Sequence, residues 1–316
     1  MTKVLTIGEI LVEIVATTRG DGFLTEQPLI GPFPSGAPAI FIDQVGRLGT
    51  PAAIVSRVGD DDFGQLNLTR LAADGVDTSG VAIAAGESTG SAFVRYREDG
   101  SRSFVFNIAH SAYGGLSATP RTRLLFETCT HLHVMGTALT VPGVAALILK
   151  ALTKIRARGG TVSFDPNLRP ELLGAAGLTD TLRQVLRQTD VFLPSGEELF
   201  LFTDSRDEAT AIAELHALGI STIVLKRGAR GASLFDAAGR LDIAPLAVVE
   251  TDPTGAGDCF GGAFVALWAR GEDRATALRY ANAAGACAVT RLGPMEGCAT
   301  RAELDALIDS CMGDIR

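Results

Sequence analysis

Short apolar runs rich in β-branched residues alternate along the chain with longer segments whose apolar positions repeat at helical spacing. Residues 142–160 show the helical spacing, and Gly159 with Gly160 ends the run. The apolar positions that would share one helical face there are Val144, Leu147, Ile148, Ala151, Leu152 and Ile155. The predicted strands are residues 4–8, 52–57, 131–135, 161–165, 190–194 and 222–226. This alternation predicts an α/β fold in which helices cover both faces of a mainly parallel sheet.

Two stretches interrupt the alternation. Residues 88–112 contain Asp99 and Gly100, a pair typical of a tight hairpin turn, between two arms of high β propensity. Residues 11–34 show no helical spacing either. We expect the two stretches to form a small β lid inserted into one domain that spans residues 1–316. Because a flat lid with apolar residues on both faces favours self-association, we also expect a homodimer formed through the lid.

The segment 250–271 places several glycines directly before a strongly apolar helix, which is predicted to begin near residue 256. Gly255 and Gly257 would let a ligand approach the backbone closely. The unpaired N–H groups and the dipole at such a helix start favour an anion, most often phosphate. Asp258 lies in the first turn, where we expect the dipole to keep its carboxylate ionised and able to accept a proton from an attacking hydroxyl. A glycine-rich turn with an Asp cap is the alternative without function, and the segment matches neither a Walker loop nor a dinucleotide fingerprint.

The composition narrows the classes of partner. The chain has 316 residues and a net charge of −8, which argues against a nucleic-acid partner. Its five cysteines are dispersed, as expected for reduced thiols in a cytoplasmic protein. The N-terminal residues lack the features of a signal peptide, and no apolar run is long enough to predict a membrane span.

The sequence DPTGAGDCFGGAF resembles the C-terminal signature of the ribokinase-like (PfkB) carbohydrate kinases. Other segments are similar to that family in the same order: TIGEILVEI, SGAPAIFIDQVGRLG, SRVGDDDFG, SFDPNLRPEL, VLKRGARG and ANAAGACAVTRLG. The resemblance implies a three-layer α/β/α sandwich with a small β lid. It also implies an ATP-dependent sugar kinase that uses Mg²⁺ and, as in part of the family, K⁺.

The resemblance further implies roles for individual residues. Asp258 would abstract the proton of the sugar hydroxyl, while Gly255, Ala256 and Gly257 would form an anion hole for the phosphoryl group. Glu198 and Asp252 would lie on the metal side, although Asp252 could instead anchor the loop. Ser195 stands where the family carries the Asn of an Asn-x-x-Glu motif, and its hydroxyl could still bind a metal-bound water. The implied nucleotide contacts are Ser195, Lys226, Gly228, Gly231, Thr254, Gly255, Gly257 and Asn282.

On the sugar side, two positions depart from the family pattern. Glu13 stands where many members carry Asp, and Ile40 replaces an Asn that commonly touches the sugar. We expect Asp43, one helical turn beyond Ile40, to compensate for the lost polar group. The implied sugar contacts are Glu13, Gly36, Asp43, Asn167, Arg169 and Asp258.

The lid sequence bears on the substrate. Asn107 and Ile108 occupy positions at which related kinases often carry Tyr and Arg. Because a 2-keto-3-deoxygluconate kinase needs a cation for the carboxylate of its substrate, the missing Arg favours a neutral ketohexose such as tagatose or fructose. That acid kinase is the alternative within the class, and a catalytically silent sugar- or nucleotide-binding regulator is the alternative from another class. A silent regulator would have no need of Asp258 as a base.

Overall fold

The computed structural model describes residues 2–168 and 177–313. The strands in these ranges are β1 (Val4–Ile7), β2 (Leu11–Ala16), β3 (Leu29–Ser35), β4 (Ala52–Gly59), β5 (Val76–Ala84), β6 (Gly90–Tyr96), β7 (Arg102–Asn107), β8 (His131–Met135), β9 (Thr161–Asp165), β10 (Val191–Phe192), β11 (Thr222–Lys226), β12 (Ala232–Asp236) and β13 (Gly239–Ile243). The helices are α1 (Ala37–Arg47), α2 (Asp62–Ala73), α3 (Pro120–Thr128), α4 (Pro142–Arg156), α5 (Leu178–Leu186), α6 (Glu208–Ala217), α7 (Ala256–Trp268), α8 (Arg274–Ala288) and α9 (Arg301–Gly313). None of the helices in these two ranges is long and apolar enough to cross a membrane.

Within the described residues, the central sheet has nine strands in the order β13-β12-β11-β10-β9-β8-β1-β4-β5. Neighbouring strands pair in parallel among β11, β10, β9, β8, β1, β4 and β5. At the other side of the sheet, β12 and β13 form an antiparallel edge. Each strand predicted from the sequence is present, and β5, β12 and β13 are additional. The prediction of a mainly parallel sheet is therefore confirmed.

Apolar side chains of the central sheet supply two cores, one on each face. On β1, Val4 belongs to one core and Leu5 and Ile7 to the other, because successive strand side chains point to opposite faces. Phe41 of α1 and Phe264 of α7 fill the first core. Helices α4, α5 and α6 fill the second. This arrangement confirms the predicted three-layer sandwich.

The part of the chain that the structure describes also forms a second sheet of four strands, in the order β3-β2-β6-β7, which is the lid; we call it the lid sheet. Its hairpin β6–β7 turns at the predicted Asp99-Gly100 pair, where Gly100 has a φ of 80°. The two halves of the lid are joined by parallel pairing of β2 with β6. Strand alternation and register place one set of side chains on a single face of this sheet, namely Glu13, Ala92, Val94, Tyr96, Arg102, Phe104 and Phe106.

Candidate active site

The glycine-rich segment forms a tight loop, residues 254–257, that leads into α7; we call it the anion-hole loop. Gly255 is the N-cap of α7 with a φ of 79°, and a Cβ there would lie 2.5 Å from the carbonyl oxygen of Pro294. The first N–H groups of α7 lack intrahelical partners, and the helix dipole adds partial positive charge. Lys226 Nζ lies 3.6 Å from the point where a Cβ of Gly257 would be, so the ammonium group faces the loop. Backbone donors and a cation thus converge on one point.

Asp258 lies in the first turn of α7 and is only 9% exposed. Asn167, which follows β9 with a left-handed φ of 39°, donates a 3.1 Å hydrogen bond from Nδ2 to Asp258 Oδ1. Burial, followed by the charge of Asp165, raises the pKa of Asp258 well above its usual value, although Lys226 opposes the rise. The helix dipole favours the ionised form of this carboxylate, whereas burial opposes it. A carboxylate with a raised pKa is the stronger base.

A buried ion pair stands beside Asp258. Lys226 Nζ donates a hydrogen bond to Asp165 Oδ2, and the two residues are 9% and 1% exposed. They end β11 and β9, and the carboxyl ends of parallel strands meet at one edge of the sheet, where α/β proteins bind ligands. Burial alone would lower the pKa of Lys226, but attraction to Asp165 and Glu198 outweighs it and raises that pKa. Lys226 therefore carries its charge into the site.

Glu198 is held by backbone donors rather than by a cation. Its oxygens accept hydrogen bonds from the N–H of Ser195 at 2.7 Å and the N–H of Leu168 at 3.0 Å. Burial and then the charge of Asp165 raise the pKa of Glu198. No group of three His, Cys, Asp or Glu side chains in the described ranges could hold a metal ion. Asp165 Oδ1 is nevertheless buried without a hydrogen-bond partner among the described atoms. Glu198 and Asp165 thus suit Mg²⁺ held mainly by phosphates and water, as is usual for this ion.

Asp252 is fully buried, and donors engage both of its oxygens. Oδ1 accepts hydrogen bonds from the Tyr96 hydroxyl at 2.5 Å and the Thr254 N–H at 2.9 Å. Oδ2 accepts one from the Gly293 N–H at 3.1 Å. These contacts favour the role of Asp252 as a loop anchor. Its role on the metal side stays a prediction.

The predicted nucleotide contacts lie on two separate segments. Gly228 and Gly231, with φ values of 56° and 83°, shape the turn after β11, and a Cβ on Gly231 would lie 2.0 Å from the carbonyl oxygen of Ile243. Asn282 of α8 is 8% exposed and donates a 2.9 Å hydrogen bond to the carbonyl of Ala244, beyond β13. Their contacts with a nucleotide stay predictions.

On the sugar side, Gly36 is the N-cap of α1, and a Cβ there would lie 2.4 Å from the carbonyl oxygen of Glu9. Glu13, 4% exposed, lies on β2 in the lid sheet. Glu9 is 5% exposed, accepts a 2.9 Å hydrogen bond from the Thr137 hydroxyl, and has its pKa raised by burial. Its charge acts on Asp258, so Glu9 belongs to the same group of acids.

Asp43 does not take the role expected of it. It is 0% exposed, and its Oδ2 lies 3.4 Å from Nη2 of Arg70 on α2. Ile40 lies against the anion-hole loop, 3.3 Å from the position of a Cβ on Gly255. The next helical turn carries Asp43 into the packing between α1 and α2, where it has no accessible surface for a sugar. Arg169, the other predicted sugar contact, lies outside the described residues.

Sequence reasoning missed four residues of the site: Glu9, Tyr96, Arg102 and Asp165. Asp165 had a detectable signal, because it ends the same strand that Asn167 follows. Tyr96 and Arg102 also had one, since they lie equally far from Asp99 and a hairpin centred there pairs them. Arg102 Nη1 donates a 3.0 Å hydrogen bond to the Thr254 hydroxyl. Nothing in the sequence marks Glu9 apart from its position after β1.

An α/β sheet with a buried carboxylate at a helix N-terminus, a glycine loop, a lysine and a lid defines a phosphotransferase that acts on a small alcohol. The family model described as "pfkB family carbohydrate kinase" matches residues 1–301. The chain therefore belongs to the pfkB family of carbohydrate kinases and is an ATP-dependent kinase of sugar hydroxyls.

Relatives and solved structures agree with this assignment. Fructokinase-1 of Oryza sativa subsp. japonica is 31% identical over 97% of this chain and 98% of its own length. A ribokinase II candidate from E. coli, solved with ATP and Mg²⁺, is 47% identical over 98% of this chain and 100% of that chain, with a TM-score of 0.93. A double mutant of Vibrio cholerae O395 fructokinase, solved with fructose, ADP and potassium, is 28% identical over 97% of this chain and 98% of that chain, with a TM-score of 0.82. ATP and Mg²⁺, together with K⁺ in part of the family, are the cofactors of this group.

Proposed function

We propose that the protein phosphorylates a ketohexose, with fructose as the first candidate and tagatose as the second. The observation that carries the proposal is the group at the start of α7: Asp258 is held by Asn167 beside Lys226 and the anion-hole loop. The relatives and structures named for fructokinase activity support fructose.

In the proposed reaction, the attacking sugar hydroxyl lies against Asp258, which accepts its proton. Asn167 fixes the orientation of that carboxylate. The N–H groups of residues 255–257 and the ammonium of Lys226 hold the negative charge of the transferring phosphoryl group. Mg²⁺, when bound, neutralises phosphate charge. The lid sheet excludes water, which would otherwise accept the phosphoryl group.

The lid favours a neutral sugar. Phe104 and Phe106 share a lid face with Glu13 and stack with ring centroids 5.0 Å apart. Such rings suit the C–H face of a sugar, while Glu13 can accept hydrogen bonds from its hydroxyls. Ile108 is partly buried and packs against the second core. It therefore provides no positive charge for a substrate carboxylate. The 2-keto-3-deoxygluconate alternative is therefore less favoured.

A coupled assay of ADP release with fructose, tagatose, psicose and 2-keto-3-deoxygluconate tests the substrate. We expect the highest kcat/KM with fructose. A higher value with 2-keto-3-deoxygluconate would replace the ketohexose proposal by the acid kinase. If no sugar stimulated ADP release, the silent regulator would be the better description.

The role of Asp258 is tested separately by Asp258→Asn, which removes the base and keeps the shape of the side chain. We expect kcat to fall by about 10²–10⁴-fold, the usual contribution of a general base, with little change in the KM for the sugar. Asp62→Asn, at an exposed position of α2, is the matched control and should keep full activity. A fall of less than about tenfold in Asp258→Asn would contradict the assignment.

We further expect the protein to act in the cytoplasm and without a nucleic-acid partner. The five cysteines carry free thiols, which suits a reducing compartment. The net charge of −8 gives no support for binding to phosphate backbones.

We also expect a homodimer through the lid sheet. Leu29 and Val105 are 44% and 53% exposed on it, and with Phe23 and Phe93 they line an apolar cavity of about 400 Å³. A second copy would cover this surface. Sedimentation should give a dimer for the natural chain and a monomer for Val105→Lys. The control Ile83→Lys, at a 61% exposed apolar position on β5, should stay dimeric. A monomeric natural chain would contradict the expectation.

A further inference from the structure

The lid sheet is hydrogen-bonded directly to the anion-hole loop. Tyr96 and Arg102 are cross-strand partners at the hairpin end of the lid. The Tyr96 hydroxyl donates to Asp252 Oδ1 at 2.5 Å and lies 3.2 Å from the Thr254 hydroxyl. Arg102 Nη1 donates to the same Thr254 hydroxyl at 3.0 Å. The lid therefore touches the residue that opens the anion-hole loop and the carboxylate two positions before it.

Asp252 connects the lid to two segments that border the anion hole, one at Thr254 and one at Gly293. Its other bonds go to the N–H of Thr254 and the N–H of Gly293. Gly293 precedes Pro294, whose carbonyl packs against Gly255 so closely that no side chain fits between them. The orientation of a single fully buried carboxylate therefore sets how the segment at Thr254 and the segment at Gly293 lie against each other.

The Tyr96 hydroxyl stays protonated and can therefore always donate its hydrogen bond to Asp252. Burial, followed by the hydrogen bond to Asp252, raises the pKa of the Tyr96 phenol, so the hydroxyl keeps its proton at physiological pH. A phenol that donates to a buried carboxylate holds it in one orientation more firmly than a neutral pair would, because charge-assisted hydrogen bonds are the stronger ones.

We propose that Tyr96 is a positioning residue that couples closure of the lid over the sugar to the geometry of the anion hole. The proposal rests on the proposed role of residues 254–257 in holding the phosphoryl group. With the lid closed, Tyr96 completes the set of donors to Asp252 and fixes the loop for transfer. With the lid away, Asp252 keeps only its backbone donors, so the loop is less constrained and transfer to water is slow. The sugar thereby triggers its own phosphorylation.

Tyr96→Phe tests this proposal, because it removes one hydroxyl and keeps the ring. We expect kcat with sugar to fall about tenfold, the size of effect that one hydrogen bond to a charged group produces, and sugar-independent ATP hydrolysis to fall less, because the lid is then not closed over a sugar. The ratio of the two rates, which measures stimulation by the sugar, should therefore fall. The double variant Tyr96→Phe with Thr254→Val should lose less kcat than the product of the fold-losses of the two single variants, because both substitutions remove the same contact.

Tyr280→Phe is the matched control. The Tyr280 hydroxyl also donates to an aspartate, Asp305, but that pair joins α8 to α9 away from the lid. The control should keep stimulation by the sugar. The proposal is overturned if Tyr96→Phe keeps kcat within twofold of the natural enzyme. Equal losses of activity and melting temperature in both variants would overturn it as well, because they would show a loss of stability only. Failure of the natural enzyme to release ADP with any sugar would contradict the proposed function instead.

Discussion

Lys226 and Asp165 illustrate how burial determines what a single side chain can do. Each ends a parallel strand, and both charges are almost completely withdrawn from water. A buried charge is tolerated only when it is paired, so neither residue can be replaced independently of the other. The pair therefore contributes to the stability of the fold and also supplies the cation at the anion-hole loop.

Lys226→Met should separate these two contributions. We expect it to lower the free energy of unfolding by about 3–5 kcal/mol, because it leaves Asp165 buried without its partner. Adding Asp165→Asn should restore most of that loss, whereas sugar-dependent ADP release should stay low in both variants. Denaturant unfolding measures the first effect and the coupled assay measures the second. The exposed pair of Lys154 with Glu127 gives the control, since Lys154→Met should cost less than about 1 kcal/mol. A double variant no more stable than Lys226→Met would contradict the account.

Some candidate site residues lie where the sequence predicts them and others do not, and their roles stay predictions. Asp258 and Asn167 could be placed because each follows a strand or loop whose position the fold class fixes. The surroundings of Asp43 could not be predicted. Helical spacing indicates which face of α1 carries this residue, but it does not show that Arg70 of α2 packs against that face. The direction of the Asp258 pKa could not be predicted either, because burial is a property of the folded molecule.

At the scale of elements, the two faces of the lid sheet differ in what they contact. Phe106 and Val105 are neighbours on β7, yet they point to opposite faces, because strand side chains alternate. Phe106 shares its face with Glu13, and Val105 lines the apolar cavity on the other face. Two adjacent and comparably exposed residues thus offer a matched comparison.

Phe106→Ala should raise the KM for the sugar by roughly tenfold, in line with the loss of the apolar contact of one aromatic ring, and leave the KM for ATP unchanged. Val105→Ala should leave both KM values unchanged. Steady-state kinetics with the preferred sugar measures the two effects. Equal changes in the two variants would show that the face assignment does not govern binding of the sugar.

The lid was partly predictable from the sequence. The Asp99-Gly100 turn is a local signal, and the hairpin is found at that position. The parallel pairing of β2 with β6 is not local, because it joins segments far apart along the chain and only the packing of the whole sheet selects it. The edge strand β13 was missed for a different reason: it is largely exposed, so its sequence lacks the apolar run of an interior strand.

At the scale of the whole molecule, Asp43 links stability to pH. Burial raises its pKa to about 7, against the attraction of Arg70. For Arg70, burial alone would lower the pKa, but attraction to Asp43 and Asp74 outweighs it and raises that pKa. The pair is therefore attractive, but the attraction is smaller than the cost of burying the Asp43 charge.

Asp43→Asn should therefore become more stable relative to the natural chain as the pH rises. Because the folded pKa lies above the unfolded value of about 3.9, ionisation of Asp43 reduces the stability of the natural chain progressively between about pH 4 and pH 7. We expect the difference between the two chains to shift in favour of the variant by about 2 kcal/mol or more between pH 5 and pH 8. Denaturant unfolding at both pH values measures it, with Asp62→Asn as the exposed control. A difference independent of pH would contradict the prediction.

The position of β1 has a consequence for synthesis on the ribosome. Although β1 is the first strand of the chain, it lies inside the central sheet, between β4 and β8. Its partner β4 follows early, but β8 begins only at His131. At usual rates of translation, one edge of β1 stays uncovered on the order of ten seconds after the strand has been made. The nascent chain therefore exposes the unpaired backbone N–H and C=O groups of one edge of β1 during that interval, which is when a holding chaperone would have most to protect.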